Sequence, residues 1–259
     1  MKIDKIFESF CDLLAQREGI MTEDNIRYYW FASMYEKDKN LNHYVLEKPY
    51  ERDDIFTQRS KKKSNNKNNA KKELDLLYVN GREQWAMEIK FHKNPIPNGQ
   101  EEKTAYANPD AAGFLFNDIL RLQFAPIEEN DKSVRRLLLY VTDKEMHDYL
   151  LNNSNRTKNA EYRNEIKKFY EMNTTDSPQR FFTQCGDLLE TFQTSAFSSF
   201  KKSGIEKKYY NGKDTLFPTP QIRLLQKNDD IHVQSKSFLG NECHVRLYEV
   251  LDFAKVAEK

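Results

Sequence analysis

The chain has 259 residues, of which 31% are charged and 13% aromatic, with only 8 glycines and 8 prolines. This composition excludes a disordered chain and a collagen-like fibre, and no apolar run approaches the roughly 18 residues of a membrane span. The net charge of +1 suggests no polyanionic partner by itself, and three widely spaced cysteines argue against a disulfide framework or a zinc knuckle. We expect a soluble, cytoplasmic, globular protein.

The N-terminal part of the chain predicts two helices and a short strand. Apolar residues recur at helical spacing over residues 3–17. A second helix is expected to begin at the N-cap Thr22 and to end near residue 36. Residues 44–46 predict a short strand that leads to Glu47.

Residues 58–72 form a polar segment of low complexity, which predicts a loop. Positions 59 to 72 hold seven basic and no acidic residues, so the rest of the chain has a net charge of −6. Such a segment is usually only a solvated loop, but its place directly before an informative strand favours contacts with phosphate groups. The candidate nucleic-acid-binding residues are Lys61, Lys62, Lys63, Lys67, Lys71 and Lys72, with Lys93 as a weaker one.

Residues 74–79 and 84–91 are two strand-like runs separated by four residues that include an Asn-Gly pair, which predicts a β-hairpin. Side chains alternate along a strand, so Glu88 and Lys90 share a face. A two-residue Asn-Gly turn would place Asp75 diagonal to Glu88, and a four-residue loop would place it directly opposite. Either connection brings the two carboxylates within about 5–8 Å of each other.

Two carboxylates at this distance repel each other unless a cation compensates them. Lys90 offers one positive charge, and a divalent cation would neutralise the pair better. Oxygen-only ligation suits Mg²⁺, and Mg²⁺ can polarise a phosphodiester. The arrangement therefore indicates metal-assisted phosphodiester hydrolysis. The competing interpretation is an edge hairpin with solvated charges, because Glu-x-Lys recurs at 101–103, 165–167 and 206–208.

Asp75 followed by Glu88-Ile89-Lys90 on the next strand resembles the PD-(D/E)XK nuclease superfamily, which includes most type II restriction endonucleases. The resemblance covers about residues 23–141, with Leu74 where the motif has proline. It implies an α/β, restriction-endonuclease-like core with a central mixed sheet flanked by helices.

The resemblance also implies roles for individual residues. Asp75 and Glu88 become Mg²⁺ ligands, the Ile89 carbonyl an auxiliary ligand, and Lys90 the catalytic lysine, with Mn²⁺ as a possible substitute metal. A further glutamate often joins such a site, and Glu47 or Glu23 could fill that place. Glu23 is otherwise explained as a partner of its helix dipole.

The rest of the chain predicts a helix that ends before Pro126, a buried strand, and a mixed helical and β-rich tail. The helices are expected at 110–125, 144–151, 157–172 and 180–200, and the strands at 137–141, 221–226, 231–235 and 244–250. We expect residues 1–141 to form the nuclease core and residues 142–259 an extension for recognition or dimerisation, packed on it in one continuous structural domain. Asp118 and Arg121 are spaced for an ion pair on the 110–125 helix, with substrate positioning as the other role.

The expected function is a Mg²⁺-dependent endonuclease that cuts DNA, resembles type II restriction enzymes and acts as a homodimer. The alternatives are a repair or structure-specific nuclease, an inactive nucleic-acid-binding module, and a protein-interaction domain. No P-loop or dinucleotide-binding motif occurs, so no nucleotide cofactor is expected. The five histidines show no linear metal-binding spacing and are interpreted as structural or surface residues.

Overall fold

The computed structural model describes residues 1–19, 21–49, 73–92, 133–152, 160–181, 220–234 and 241–251, together with Leu115, Asp118, Ile119, Leu122 and Ile127. These residues form an α/β fold, in which a seven-stranded mixed sheet has helices packed on both faces. Among the helices of the described ranges, none is long and apolar enough to cross a membrane.

The helices begin and end close to their predicted bounds. They are α1 (Ile3–Ala15), α2 (Glu23–Lys37), α3 (Lys144–Asn152) and α4 (Ala160–Glu171), with a 3-10 turn at Leu41–His43. Thr22 is the N-cap of α2, as predicted. Its hydroxyl accepts a hydrogen bond from the Asn25 N–H, and the Asn25 side chain accepts one from the Thr22 N–H. This reciprocal cap fixes the start of α2, and with it the position of the acidic residues in its first turn.

The strands are β1 (Tyr44–Pro49), β2 (Glu73–Val79), β3 (Glu83–His92), β4 (Ser133–Asp143), β5 (Gln179–Arg180), β6 (Gln221–His232) and β7 (Glu242–Leu251). Their order in the sheet is β1-β2-β3-β4-β7-β6-β5. β3 and β4 are parallel, and every other neighbouring pair is antiparallel. Strands from both sides of residue 141 therefore share one sheet.

The predicted hairpin is present as β2 and β3, and its turn selects between the two registers considered above. Val79 pairs with Gln84, and the Asn80 N–H donates to the Glu83 carbonyl over 3.0 Å. The Asn80 side chain also accepts hydrogen bonds from the N–H groups of Arg82 and Glu83. The turn is therefore centred between Gly81 and Arg82, one residue later than a turn on the Asn-Gly pair. The same register, extended one residue beyond the Leu76–Met87 pair, would place Asp75 opposite Glu88.

The core has two layers, one on each face of the sheet. Helices α1 and α2 cover the face that carries Trp85, Met87 and Ile89 of β3. Helices α3 and α4 cover the opposite face, together with the buried helical residues Leu115, Ile119 and Leu122. Alternation along β3 thus leaves Ala86, Glu88 and Lys90 on the second face.

The structure corrects three expectations about the second half of the chain. The buried strand predicted at 137–141 extends over all of β4. The two strands predicted at 221–226 and 231–235 are one strand, β6, with irregular register between Leu224 and Gln226 and again between Asn228 and Ile231; these irregularities interrupt the alternation on which the prediction relied. Arg180 belongs to β5 and Phe181 follows it outside any helix, while residues 182–200 of the predicted helix lie outside the described residues, as does the segment 58–72.

Candidate metal and phosphodiester site

Eight charged side chains meet where the carboxyl half of β3 passes the start of α2. We call this group the carboxylate cluster; it consists of Glu23, Asp24, Arg27, Glu47, Asp75, Glu88, Lys90 and Asp118. α2 contributes three of its members, and the hairpin β2–β3 contributes three more. The cluster contains all three residues predicted to be catalytic.

Asp75 of β2 lies over the neighbouring strand. Its Oδ2 accepts a hydrogen bond from the Ile89 N–H over 2.7 Å, and its Oδ1 accepts one from Arg27 Nη2 over 2.7 Å. Burial raises the pKa of Asp75, and the Ile89 N–H, Arg27 and Lys90 oppose this without cancelling it. The contacts that the protein supplies therefore offset only part of the free-energy cost of burying the Asp75 carboxylate.

Arg27 links three carboxylates of the cluster. Besides Asp75, its guanidinium lies 3.0 Å from Glu47 Oε1 and 3.2 Å from Asp24 Oδ1. Glu47 is 61% exposed and adopts a left-handed φ of 53°, a conformation that is unfavourable for a residue other than glycine. Glu47 thus reaches the site through Arg27, and its predicted role as a metal ligand stays a prediction.

Lys90 of β3 is held between two carboxylates from different elements. Its Nζ lies 3.3 Å from Asp118 Oδ2 and 3.4 Å from Glu23 Oε2. The same Glu23 oxygen accepts a hydrogen bond from the Phe91 N–H over 3.3 Å. Burial works to lower the pKa of Lys90, but the carboxylates of the cluster outweigh it, so the pKa lies above its ordinary value. Lys90 is therefore an ammonium ion at neutral pH.

Glu88 is only 2% exposed and shares the Lys90 face of β3. Its carboxylate, like that of Asp75, raises the pKa of Lys90, so the three residues interact electrostatically. Ile89 enters the site through its N–H, which binds Asp75. The ligand role predicted for the Ile89 carbonyl stays a prediction.

His92 follows on the same strand and is neutral at neutral pH. Its Nδ1 lies 3.0 Å from the Tyr140 hydroxyl. Burial and the nearby Lys90 lower the pKa of His92 to about 3. His92 therefore adds no positive charge to the carboxylate cluster.

The balance of charge in the cluster is strongly negative. Among the described residues, six carboxylates face two cations, which leaves a formal charge of −4. Carboxylates concentrated in this way are unfavourable unless further cations join them. Carboxylate oxygens are the donors that a hard divalent cation prefers, so the chemistry of the donor set is compatible with Mg²⁺. The Mg²⁺ ligation predicted from the sequence stays a prediction.

Sequence reasoning missed Arg27 and gave Asp118 a different partner. Asp118 has the same helical spacing as the buried Leu115 and Leu122, which was a signal that its side chain faces inward. Its ion pair is with Lys90, while Arg121 lies outside the described residues. No local sequence pattern indicated that Arg27 belongs to the site, because its contact with Asp75 joins residues 48 positions apart.

The candidate nucleic-acid-binding residues lie outside the part of the chain that the structure describes. They are Lys61, Lys62, Lys63, Lys67, Lys71, Lys72 and Lys93. Comparison with known proteins adds no relative: the chain matches no protein-family model, no curated protein and no solved structure.

Proposed function

We propose that the protein is a Mg²⁺-dependent endonuclease of the restriction-endonuclease-like kind, which hydrolyses phosphodiester bonds of DNA. The observation that carries this proposal is the carboxylate cluster, with its six carboxylates around two cations at the carboxyl half of β3. A site of this charge favours a divalent cation, and carboxylate oxygens are the donors that Mg²⁺ prefers. Mn²⁺ is expected to substitute for it.

Asp75 and Glu88 are the residues that we assign to hold the cation, because they lie opposite each other on adjacent strands and are mostly buried. Among the described residues, each Asp75 oxygen accepts one hydrogen bond, from Arg27 or from the Ile89 N–H, so a metal would use the second lone pair or displace Arg27. Glu47 is a weaker candidate, since its side chain is 61% exposed. When bound, the cation would polarise the phosphodiester and offset the charge that develops at phosphorus.

Lys90 supplies a fixed positive charge beside these carboxylates. Glu23 and Asp118 hold its ammonium group from two sides. Because its pKa is raised, Lys90 keeps its proton at neutral pH and does not act as a general base there. Its role is to donate hydrogen bonds to the attacking oxygen or to a phosphate oxygen and to stabilise the negative charge of the transition state.

DNA must approach this negatively charged site against the repulsion of its own phosphates. The basic segment 58–72 directly precedes β2 in the chain, and its lysines would supply the compensating attraction. Symmetric cutting of both strands requires two copies of the site, so a homodimer is the expected assembly.

The test is incubation of the purified protein with plasmid and phage DNA, with Mg²⁺ and with a chelator. Three variants address the site: Asp75→Asn, Glu88→Gln and Lys90→Met. Lys144→Met is a matched control, because Lys144 follows the parallel strand β4 and its side chain is 46% exposed. We expect wild-type protein and the control to cut only with Mg²⁺, and each site variant to lose cleavage by at least a hundredfold.

DNA binding, measured by fluorescence anisotropy with the chelator present, separates the alternatives. Cleavage lost in Lys90→Met while binding persists supports the enzyme. Wild-type protein that binds DNA without cutting it is instead a nucleic-acid-binding module, and a Lys90→Met variant that cuts normally contradicts the proposed site. Discrete fragments indicate restriction-like specificity, whereas a smear indicates a non-specific or repair nuclease.

A further inference from the structure

His147, Asp229 and His244 form a second polar group, which we call the histidine cluster. His147 lies on α3, Asp229 on β6 and His244 on β7. One ligand atom from each residue lies within 4.8 Å of the ligand atoms of the other two. The three residues come from separate parts of the chain, so no motif with a fixed spacing indicates the group. For this reason the sequence interpretation treated its histidines as structural or surface residues.

The local fold turns all three side chains toward one another. β6 has irregular register between Asn228 and Ile231, and Asp229 lies inside this irregularity. Such bulges re-aim a side chain, and this one brings the Asp229 carboxylate to His244 on the neighbouring strand. α3 begins directly after β4 and places His147 above His244, with ring centroids 3.6 Å apart.

His244 is the observation that points to a ligand. Its side chain is 5% exposed, and among the described residues its nearest polar contact is Asp229 Oδ1, 3.5 Å from Nδ1, while Nε2 makes no hydrogen bond. A buried ring nitrogen without a hydrogen bond is costly, and such a group in a native structure points to a bound ion or water. Asp229 is 33% exposed, so the cluster has an open side through which an ion can enter.

The distances suit a small cation. The Nδ1 atoms of His244 and His147 lie 3.5 and 4.0 Å from the same Asp229 Oδ1. His147 Nδ1 also lies 3.0 Å from the Tyr170 hydroxyl, and a metal bound at this nitrogen would replace that hydrogen bond. Ligand atoms around one tetrahedral zinc ion lie about 3.3 Å apart, given metal–ligand distances of about 2.0–2.1 Å. The two rings are nearly parallel, at 11°, so they must tilt toward each other before both lone pairs can meet one ion.

We propose that the histidine cluster binds a divalent transition metal of the zinc class, through two imidazoles and one carboxylate. Imidazole ligation selects such metals over Mg²⁺. Arg246 donates to both oxygens of Asp229, over 2.7 and 3.3 Å, and orients the carboxylate. A carboxylate oxygen has two lone pairs, so one hydrogen bond to each does not by itself prevent ligation. Its positive charge makes the binding weaker than in a site without an arginine.

This site is separate from the carboxylate cluster. Asp75 is on β2 and His244 on β7, three strands apart in the sheet order, which corresponds to about 14 Å. The inference therefore does not rest on the proposed nuclease function, and a second variant tells the two sites apart.

The experiment is titration of the full chain with Zn²⁺ by calorimetry, together with the melting temperature and the visible absorption of Co²⁺ as a zinc substitute. We expect one equivalent of Zn²⁺ to bind and to raise the melting temperature. His147→Gln and His244→Gln should each weaken binding at least tenfold. His232→Gln is the matched control, because His232 is an exposed histidine on the same strand as Asp229, and it should bind as wild type.

Two further variants make the result decisive. Asp75→Asn should still bind Zn²⁺ at the histidine cluster, because the substituted residue belongs to the carboxylate cluster. Asp229→Asn tests the site without disturbing the stacked rings, should a histidine variant unfold. No Zn²⁺ binding by the wild-type chain overturns the inference. So does binding that persists in His147→Gln and Asp229→Asn, or binding that Asp75→Asn abolishes.

Discussion

Replacement of Arg27 by methionine tests whether the guanidinium and a divalent cation compete for Asp75. Both side chains are 12% exposed, and their 2.7 Å hydrogen bond is charged on both sides. Such a bond contributes about 1.5–3 kcal/mol. A cation that takes the Arg27 position on Asp75 must first overcome this amount. Arg27→Met removes that cost and adds no new polar group, so apparent Mg²⁺ affinity should rise about 10- to 100-fold.

The same substitution should destabilise the protein when no divalent cation is present. Among the described residues, the Ile89 N–H is then the remaining hydrogen-bond donor to Asp75, and the free energy of unfolding should fall by about 1.5–3 kcal/mol. Urea denaturation with and without Mg²⁺, and calorimetric titration with Mg²⁺, measure the two effects. Lys37→Met, at the far end of the same helix, is the control. Unchanged or weaker Mg²⁺ binding in Arg27→Met would refute the competition.

Two further predictions concern charges outside the cluster. Glu249 is 7% exposed and accepts hydrogen bonds from Arg135 and Arg223; burial alone would raise its pKa, but the two arginines lower it overall. A depressed folded-state pKa gives stability that is present above the unfolded value near pH 4 and lost as the pH falls. Glu249→Gln should therefore cost about 2–3 kcal/mol at pH 7 and less at pH 3 by urea denaturation; an equal cost at both pH values contradicts this. The second prediction concerns six lysines of the basic segment: Lys61, Lys62, Lys63, Lys67, Lys71 and Lys72. Replacing them by glutamine should weaken DNA binding and reduce the slope of log K for DNA binding against log salt concentration by up to about 5. An unchanged slope excludes contacts between these lysines and phosphate groups.

The hairpin shows what local patterns can predict. Alternation along β3 places Glu88 and Lys90 on one face whatever the turn, so the sequence predicts their shared side correctly. The register needed more, because it depends on the Asn80 side chain, which accepts two backbone hydrogen bonds and moves the turn by one residue. Side-chain hydrogen bonds of this kind compete with the usual turn preferences and cannot be read from residue types alone.

Contacts between segments distant in the chain could not be predicted from the sequence, for a different reason. Arg27 meets Asp75 only because α2 packs against the sheet at one particular angle, and that angle follows from the fit of side chains such as Trp30 against Met87. The histidine cluster likewise depends on a bulge in β6 that no pattern predicts. In both cases the sequence gives the residue types, while packing decides which of them meet.

The two faces of β3 differ in character: one is apolar and packed under helices, and the other carries the charged residues. Trp85, Met87 and Ile89 are fully buried under α1 and α2 and supply the apolar packing that holds the strand in place. Glu88 and Lys90 lie on the other face, within the net negative carboxylate cluster. The first face fixes the backbone from which the second projects, so substitutions under the helices should lower stability before they affect chemistry. Removal of the Glu88 charge should do the reverse, because relief of crowded negative charge partly offsets the contacts that it loses. Removal of the Lys90 charge should lower stability as well as activity, because it leaves Glu23 and Asp118 without the cation between them.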